Sequence, residues 1–276
     1  MRVGIIGLGL MGGSLALALR KYKLVSKIYG CFRSVKQTKE VLDLNLVDEV
    51  LNIDELKEKS DLIVLAISVD KIIEYIPKLL DININTTIVD LGSTKKSILD
   101  NIPLKIRSNF IGAHPMVGTE KSGPSAAIEN FYENSVVVLC DTNMNSSYHL
   151  NRVKNIFSTI QMKIIDMNSS QHDIHACFMS HLPHAISFAL ANTVMNHEDP
   201  ISIVQLAAGG FKDMSRVAKS SPSMWIDIFK QNRDNLLESL DLFKNQMNFI
   251  QTLLEDEKYD ELENWMKKAN TLHKIL

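Results

Sequence analysis

The stretch Val3-Gly4-Ile5-Ile6-Gly7-Leu8-Gly9-Leu10-Met11-Gly12-Gly13-Ser14 decides the fold of this 276-residue chain. It starts with a short apolar run, as in a buried strand, and the run stops at Gly7. The glycines at 7, 9 and 12 form a GxGxxG pattern, in which they allow a tight turn, close approach of a pyrophosphate and close packing of helix on strand. The stretch therefore predicts a strand, a glycine turn and a helix that open a dinucleotide-binding domain.

Strand and helix signals alternate through the first part of the chain. Residues 61–67 (DLIVLAI) are apolar without interruption, as expected of a strand that is buried on both faces of a parallel sheet. The predicted strands cover residues 3–6, 27–32, 61–67, 87–91, 110–113, 135–140 and 163–166, and the predicted helices cover residues 12–20, 35–44, 71–80 and a segment from about Thr94. This alternation predicts an α/β fold with a doubly wound parallel sheet of the Rossmann type.

The pattern changes near residue 167, after which apolar residues recur at helical spacing. We therefore predict a dinucleotide-binding domain over residues 1–167 and an all-helical substrate and dimerisation domain over residues 168–276. A long predicted helix carries an apolar stripe at spacings of three and four, formed by Leu236, Leu237, Leu240, Phe243, Met247, Ile250 and Leu254. Such a stripe is typical either of a buried core helix or of a dimer interface.

Composition excludes several classes of protein. The chain is 45% hydrophobic and 22% charged, which is enough apolar material for a sizeable core. Its net charge of -2 gives no reason to expect nucleic acid or a membrane surface as a partner. It has three widely separated cysteines and no run of 18 apolar residues, so we expect a cytoplasmic protein without a disulfide framework or a membrane span.

The cofactor is predicted to be NAD or NADP. An NAD site usually carries an acidic residue about 20 residues after the glycines, to bind the ribose hydroxyl. Phe32 stands at that place, and Arg33, Ser34 and Lys36 follow, so an arginine that could meet a 2′-phosphate leaves the preference open. The residues that we predict to bind the cofactor are Gly7, Leu8, Gly9, Leu10, Met11, Gly12, Phe32, Arg33, Ser34, Ile67 and Ser68.

A second informative segment, residues 112–124, sets His114 among small residues and prolines. A neutral imidazole with a pKa near 6.5 suits proton removal at neutral pH, so His114 is a candidate base; the alternative is a loop histidine that binds backbone. Four further histidines lie at 172, 175, 181 and 184. Their spacing allows a metal site, but the segment offers no carboxylate beyond Asp173, and we predict no metal.

The motifs together resemble the prephenate dehydrogenase family in its monofunctional form. In order they are GLGLMGGS (7–14), DLGSTK (90–95), GAHPMVGTE (112–120), SHLPHA (180–185), GGFKDMSR (209–216) and SPSMWID (221–227). Several separated motifs in one order are far more specific than a single motif, and they cover essentially the whole chain. The resemblance implies oxidative decarboxylation of prephenate to 4-hydroxyphenylpyruvate, with hydride transfer to NAD(P), in tyrosine biosynthesis by a homodimer.

The resemblance also implies roles for individual residues. His114 polarises the substrate hydroxyl, and Ser93, which we also expect to be a helix N-cap, bonds that hydroxyl or orients His114. His184 lies near the substrate, and Arg216 binds a substrate carboxylate through two parallel hydrogen bonds. Lys212, where relatives more often carry arginine, and Asp213 complete the predicted substrate site.

Three other functions compete with this interpretation. Arogenate dehydrogenase performs the same chemistry on a substrate with an amino group in place of the side-chain keto group. A β-hydroxyacid dehydrogenase shares the architecture, but the segments around His114 and His184 fit it badly. A non-catalytic NAD(P)-binding protein would not need His114, Ser93 and Arg216.

Overall fold

The computed structural model describes residues 1–32 and 35–275. The strands within these ranges are β1 (Arg2–Ile6), β2 (Lys27–Cys31), β3 (Glu49–Val50), β4 (Leu62–Leu65), β5 (Thr87–Asp90), β6 (Phe110–Pro115), β7 (Val136–Cys140) and β8 (Lys163–Met167). The helices between the strands are α1 (Leu10–Lys21), α2 (Val35–Asp43), α3 (Ile53–Lys59), α4 (Val69–Tyr75), α5 (Lys96–Asp100), α6 (Leu104–Arg107) and α7 (Ser147–Thr159). After β8 come α8 (Ser169–Ala176), a π-helical turn (Cys177–His181), α9 (Leu182–Met195), α10 (Pro200–Gln205), α11 (Gly209–Ser215), α12 (Pro222–Gln231), α13 (Arg233–Glu255) and α14 (Tyr259–Asn270).

The described strands form one sheet in the order β3-β2-β1-β4-β5-β6-β7-β8. This order confirms the predicted Rossmann-type α/β fold, in which the progression of strand numbers across the sheet reverses between β1 and β4. The predicted parallel sheet is interrupted at one pair of strands, because β6 and β7 are antiparallel, with His114 opposite Val138. A parallel pair needs a crossover, usually a helix, and only a 3-10 turn at Pro124–Ala126 lies between these strands.

Both faces of the sheet are covered by hydrophobic clusters, because most residues of its central strands are apolar. Alternate residues of each strand enter two separate hydrophobic clusters, one on each face. Val3, Val64 and Val89 belong to one cluster, whereas Ile63 and Ile88 belong to the other, and all five are at most 2% exposed. Each such side chain contributes roughly 1.5–3 kcal/mol. The parallel strands are thereby held with their carboxyl ends at one common edge.

Several elements differ from the predicted ones for identifiable reasons. The sequence analysis missed β3 and α3, although Asn52 and Glu55 form a capping box at the start of α3 that the sequence contains in readable form. The helix predicted over residues 71–80 is α4 followed by a 3-10 turn at Ile76–Leu79, because a proline enters at position 77.

The described chain separates by its internal contacts into one compact unit over Met1–Asn232 and a second unit from Arg233 onward. In the first unit α12 packs on the sheet domain, since Lys230 and Gln231 bind Asp70 at 2.9 and 2.7 Å. In the second unit the residues of the predicted apolar stripe on α13 differ in their exposure to solvent. Leu236 is 7% exposed, whereas Leu237, Met247 and Leu254 are about half exposed. Among the described residues, no helix is both long and apolar enough to cross a membrane.

Candidate active site

A cleft of about 410 Å³ opens at the carboxyl edge of the sheet, where β1 and β4 end. Six of the predicted cofactor residues line this cleft: Gly7, Leu8, Gly9, Phe32, Ile67 and Ser68. Leu10, Met11 and Gly12 do not line it; they form the first turn of α1, whose amide groups and partial positive charge favour a phosphate. Arg33, Ser34 and the side chain of Lys36 lie outside the described residues.

The three glycines of the motif are required for different reasons. Gly7 has a φ of +93°, and a Cβ atom there would lie 2.4 Å from the carbonyl oxygen of Ala66. A Cβ atom on Gly12 would lie 1.9 Å from the carbonyl oxygen of Gly7. A Cβ atom on Gly9 would meet no described atom within 4 Å. Packing of the protein therefore requires Gly7 and Gly12, whereas the space beside Gly9 is open to a ligand.

The cleft also contains residues that sequence reasoning missed, namely Ile6, Cys31, Val41, Lys71, Tyr75, Gly123 and Pro124. Lys71 and Tyr75 come from α4, the helix that follows β4. Gly123 and Pro124 belong to the segment 112–124 that contains His114, so this segment reaches the cofactor cleft. No sequence motif marks α4 as a wall of the cleft. The sequence indicates this place only because α4 follows β4, the strand beside β1 in the sheet.

His114 lies at the end of β6 and takes part in a chain of hydrogen bonds that runs through α8. Its Nδ1 atom lies 2.8 Å from Nε2 of His172. Nδ1 of His172 lies in turn 2.8 Å from Oδ1 of Asp173. His172 and Asp173 are each 2% exposed, whereas His114 is partly exposed. Within the described part of the chain, Nε2 of His114 has no hydrogen-bond partner and is not a buried atom.

Asp173 also caps α5, which lies 77 residues earlier in the chain. Its two carboxylate oxygens accept hydrogen bonds from the backbone N–H groups of Lys95 and Lys96 at 2.8 and 2.9 Å. The predicted cap at Ser93 was wrong, because the N-cap position is Lys95 and its own side chain does not cap the helix. Ser93 is half-buried in the loop between β5 and α5 and has no hydrogen bond to other described residues.

A fully buried ion pair lies beneath this site. The ammonium group of Lys95 binds Oδ1 of Asp90 and donates to the carbonyl oxygen of Ala113 at 2.9 Å. Both side chains are 0% exposed, and burial raises the pKa of Asp90 while the Lys95 cation opposes that rise. Since Ala113 precedes His114, the ion pair supports the strand end that carries the candidate base.

The electrostatic environment keeps His114 neutral. Burial among protein atoms lowers the pKa of His114 well below 6.5, and His172, the Lys95 cation and His181 lower it further. A neutral imidazole keeps one ring nitrogen unprotonated, and that nitrogen can accept a proton. The arrangement can therefore remove a proton from a group placed at Nε2 of His114.

Two more histidines pack around Trp225. The ring of His184 stacks on the indole at a centroid distance of 3.7 Å, and its Nδ1 lies 2.8 Å from the carbonyl oxygen of Ser180. His181 is 0% exposed; its Nδ1 accepts from the side-chain amide of Asn232 at 3.0 Å, and burial lowers its pKa to about 4. Among the described residues, no group of histidine, cysteine and carboxylate side chains could hold a metal ion.

Arg216 lies near His184, whose pKa is lowered by burial and then by this guanidinium. Its Nη1 atom approaches Oε2 of Glu120 at 3.4 Å, and its side chain is 56% exposed. Most of the guanidinium therefore faces outward and can bind an anion. Lys212 and Asp213 lie on exposed positions of α11, and neither hydrogen-bonds to Arg216 or His184. Sequence reasoning missed Glu120 and Trp225 as site residues, although both lie inside motifs that it used.

A dinucleotide cleft and a candidate histidine base at the carboxyl edge of a Rossmann-type sheet are the features of an NAD(P)-dependent oxidoreductase. Residues 15–166 match the family model described as the nucleotide-binding domain of prephenate dehydrogenase, and residues 168–268 match that of its dimerization domain. The chain therefore belongs to the prephenate dehydrogenase family.

Individual relatives resemble the chain over most of its length. It is 32% identical to prephenate dehydrogenase of Bacillus subtilis over 96% of this chain and 73% of that protein. A crystal structure of Aquifex aeolicus prephenate dehydrogenase with hydroxyphenyl propionate and NAD+ superposes with a TM-score of 0.93 at 32% identity, over 99% of this chain and 97% of the other. A crystal structure of Synechocystis arogenate dehydrogenase gives 0.81 at 27% identity, over 99% of each chain.

Proposed function

We propose that this protein oxidises and decarboxylates prephenate to 4-hydroxyphenylpyruvate with NAD(P), and so supplies the precursor of tyrosine. The observation that carries the proposal is the position of His114, partly exposed and with Nε2 unengaged, on a strand whose neighbour β5 lies beside β4 at the cofactor cleft. The family of the chain and the ligands named in the Aquifex aeolicus structure support the same reaction.

The residues of the cleft fit a dinucleotide. The turn at Gly7 and the open space beside Gly9 leave room for a pyrophosphate at the N-terminus of α1. Phe32, Ile67 and Ser68 would contact the nucleoside parts of the cofactor. A bound NAD(P) would supply the acceptor for the hydride that leaves the hydroxyl-bearing ring carbon.

The chain itself supplies a base, an anchor and a rigid frame. His114 takes the hydroxyl proton as the carbon is oxidised, and Ser93 supports the same hydroxyl from the loop after β5. Arg216 binds a substrate carboxylate, with His184 beside it, and Lys212 and Asp213 line the outer part of the site. Loss of the ring carboxylate as carbon dioxide makes the ring aromatic, and the oxidised ring accepts the electrons, so this step needs no metal.

We further propose a cytoplasmic homodimer with a functional boundary between residues 167 and 168. The two family models meet at this boundary, and the second is described as a dimerization domain. The half-exposed leucines and methionine on α13 supply an apolar face that a second copy could cover. Light scattering tests the proposal, and a monomer at micromolar concentration would refute it.

The decisive experiment measures initial rates of reduced-cofactor formation with prephenate, with NAD and NADP side by side. Turnover should fall by about 10²–10⁴-fold in His114→Asn, the range that general base catalysis contributes. The ratio of the two rates tests how Phe32 and Arg33 affect the choice of cofactor. Because Phe32 replaces the usual acidic residue and Arg33 follows it, we expect NADP to be accepted at least comparably with NAD.

Arogenate is the second candidate substrate, because the Synechocystis arogenate dehydrogenase shares the fold over the whole chain. Turnover with arogenate but not with prephenate would favour that activity. Cofactor binding without turnover of either substrate would indicate a non-catalytic protein.

A further inference from the structure

With both imidazoles neutral, the hydrogen-bond chain that ends at His114 has one arrangement of protons that satisfies every member. Asp173 already accepts two backbone N–H groups, from Lys95 at Oδ1 and from Lys96 at Oδ2. A carboxylate can only accept hydrogen bonds, so the contact at 2.8 Å requires His172 to donate from Nδ1. A neutral His172 then carries a lone pair at Nε2.

The contact with His172 fixes the proton of His114 as well. Because Nε2 of His172 must accept, the 2.8 Å contact requires His114 to donate from Nδ1. The remaining nitrogen of His114, Nε2, then carries a lone pair, and it is not a buried atom. From this geometry we infer that His172 and Asp173 are positioning residues that hold His114 in the Nδ1–H tautomer, with Nε2 as the basic atom.

This inference rests on the proposed function, because it explains how His114 is prepared to act as a base. In the opposite tautomer Nε2 would carry a proton and could not accept another without opening the chain. An orienting partner that fixes the tautomer of a histidine base is a known requirement in hydrolases that use serine and histidine. Here a second histidine stands between the base and the carboxylate.

The surroundings allow the chain to keep this state at neutral pH. The charged and titratable groups around His114 are Lys95 from α5, His172 from α8 and His181 from the π-helical turn, and all three disfavour a proton on it. Asp173 lies beyond His172, and its Oδ1 is 2.8 Å from Nδ1 of His172. The rigid cap on α5 fixes the carboxylate, so neither imidazole can turn without breaking a buried contact.

The tautomer can be observed without substrate. In protein labelled with ¹⁵N-histidine, two-bond nitrogen–proton correlations at pH 7.5 distinguish Nδ1–H from Nε2–H, and the His114→Asn variant identifies the signal. We expect His114 as Nδ1–H and His172 as Nδ1–H. A wild-type His114 in the Nε2–H form overturns the inference, whatever the protein does with prephenate.

Kinetics supply the second readout. His172→Leu should lower kcat about 100-fold and leave KM for prephenate within about threefold, since the variant loses orientation of the base and no substrate contact. His172→Gln offers a carbonyl oxygen that can accept from Nδ1–H of His114, so its kcat should exceed that of the leucine variant at least tenfold. His175→Leu is the matched control, because His175 is an exposed histidine on the same helix, and it should behave as the wild type.

The outcomes separate the two proposals. Wild-type kcat in His172→Leu, or no gain from leucine to glutamine in folded protein, overturns the positioning role. Thermal melts and titration with reduced cofactor verify the fold of each variant; if the leucine variant does not fold, the wild-type tautomer and the glutamine variant decide. An Nδ1–H tautomer in a protein that turns over no prephenate would refute the proposed function and leave the positioning role standing.

Discussion

Two regions at the same edge of the sheet are built in opposite ways. The nucleotide end, around β1 and α1, is shaped by backbone and by the absence of side chains, and its key positions are Gly7, Gly9 and Gly12. The histidine end, beyond β5 and β6, is shaped by buried ionisable side chains, among them Asp90, Lys95 and His172. A side chain added at a glycine should damage the first region, whereas removal of a charged side chain should damage the second.

The difference shows how one fold keeps two kinds of site apart. A phosphate needs bare amide groups and room, which glycines and a helix N-terminus provide. A neutral base needs a fixed tautomer and nearby positive charge, which only side chains held in a dry environment provide. The predictions below test this contrast, in order of decreasing expected effect.

The largest effect should come from Gly12→Ala at the nucleotide end. The new Cβ atom would lie 1.9 Å from the carbonyl oxygen of Gly7, a backbone atom that cannot move aside. We expect a loss of roughly 4 kcal/mol or more in unfolding free energy, measured by urea denaturation. Gly9→Ala is the matched control, since its Cβ meets no described atom; it should keep the melting temperature and weaken cofactor binding about tenfold or more. Wild-type stability in Gly12→Ala would contradict this account.

The next largest loss of stability should come from Lys95→Met at the histidine end. Removal of the ammonium group leaves Asp90 buried without its cation, which costs about 3–5 kcal/mol of unfolding free energy. Asp90→Leu combined with Lys95→Met removes both charges and should recover much of that loss. If the double variant is no more stable than the single one, the ion pair does not behave as a buried pair.

Acid should destabilise the same region through His181. Its pKa is about 4 in the folded protein against about 6.5 when unfolded, so below pH 6.5 the unfolded chain binds the proton more readily. Stability is therefore lost as the pH falls from about 6.5 to about 4, by about 3 kcal/mol for this group. Urea unfolding at pH 7 and pH 4 should show a correspondingly smaller loss in His181→Phe, and an identical loss in both proteins would contradict the assignment.

The smallest effect should come from Arg216→Ala at the outer mouth of the site. Loss of a charged hydrogen-bond donor should raise KM for prephenate about 10- to 100-fold and leave kcat within about threefold. Arg2→Ala is the control, since Arg2 is also an exposed arginine bound to a carboxylate, at the start of β1. Unchanged KM in Arg216→Ala would remove this arginine from the substrate site.

The two regions also differed in how far the sequence predicted them. Much of the nucleotide end is encoded in one local stretch, so the glycine motif predicted the turn, α1 and three residues of the cleft, Gly7, Leu8 and Gly9. The histidine end brings together residues that are 58 to 78 positions apart in the chain. Local patterns named His114 but gave no sign that Asp173 caps α5 or that Lys95 is buried, because both facts depend on tertiary packing.

Ser93 illustrates the same limit. Serine after a strand is a good local signal for an N-cap, but a distant carboxylate took that role and the helix began later. The reversal at β7 was equally hidden, because it depends on the missing crossover helix between residues 116 and 135.

The π-helical turn Cys177–His181 has a consequence for changes of chain length. A turn of this kind holds one residue more than an α-helical turn, so the helix from α8 to α9 carries a spare residue between His172 and His184. Deletion of Met179, which is 70% exposed, would convert the turn to an α-helix and leave both histidines on their present faces. A deletion elsewhere in α9 would rotate the residues after it by about 100°. The turn is thus the point in this helix at which the chain can lose one residue while His172 and His184 keep their faces.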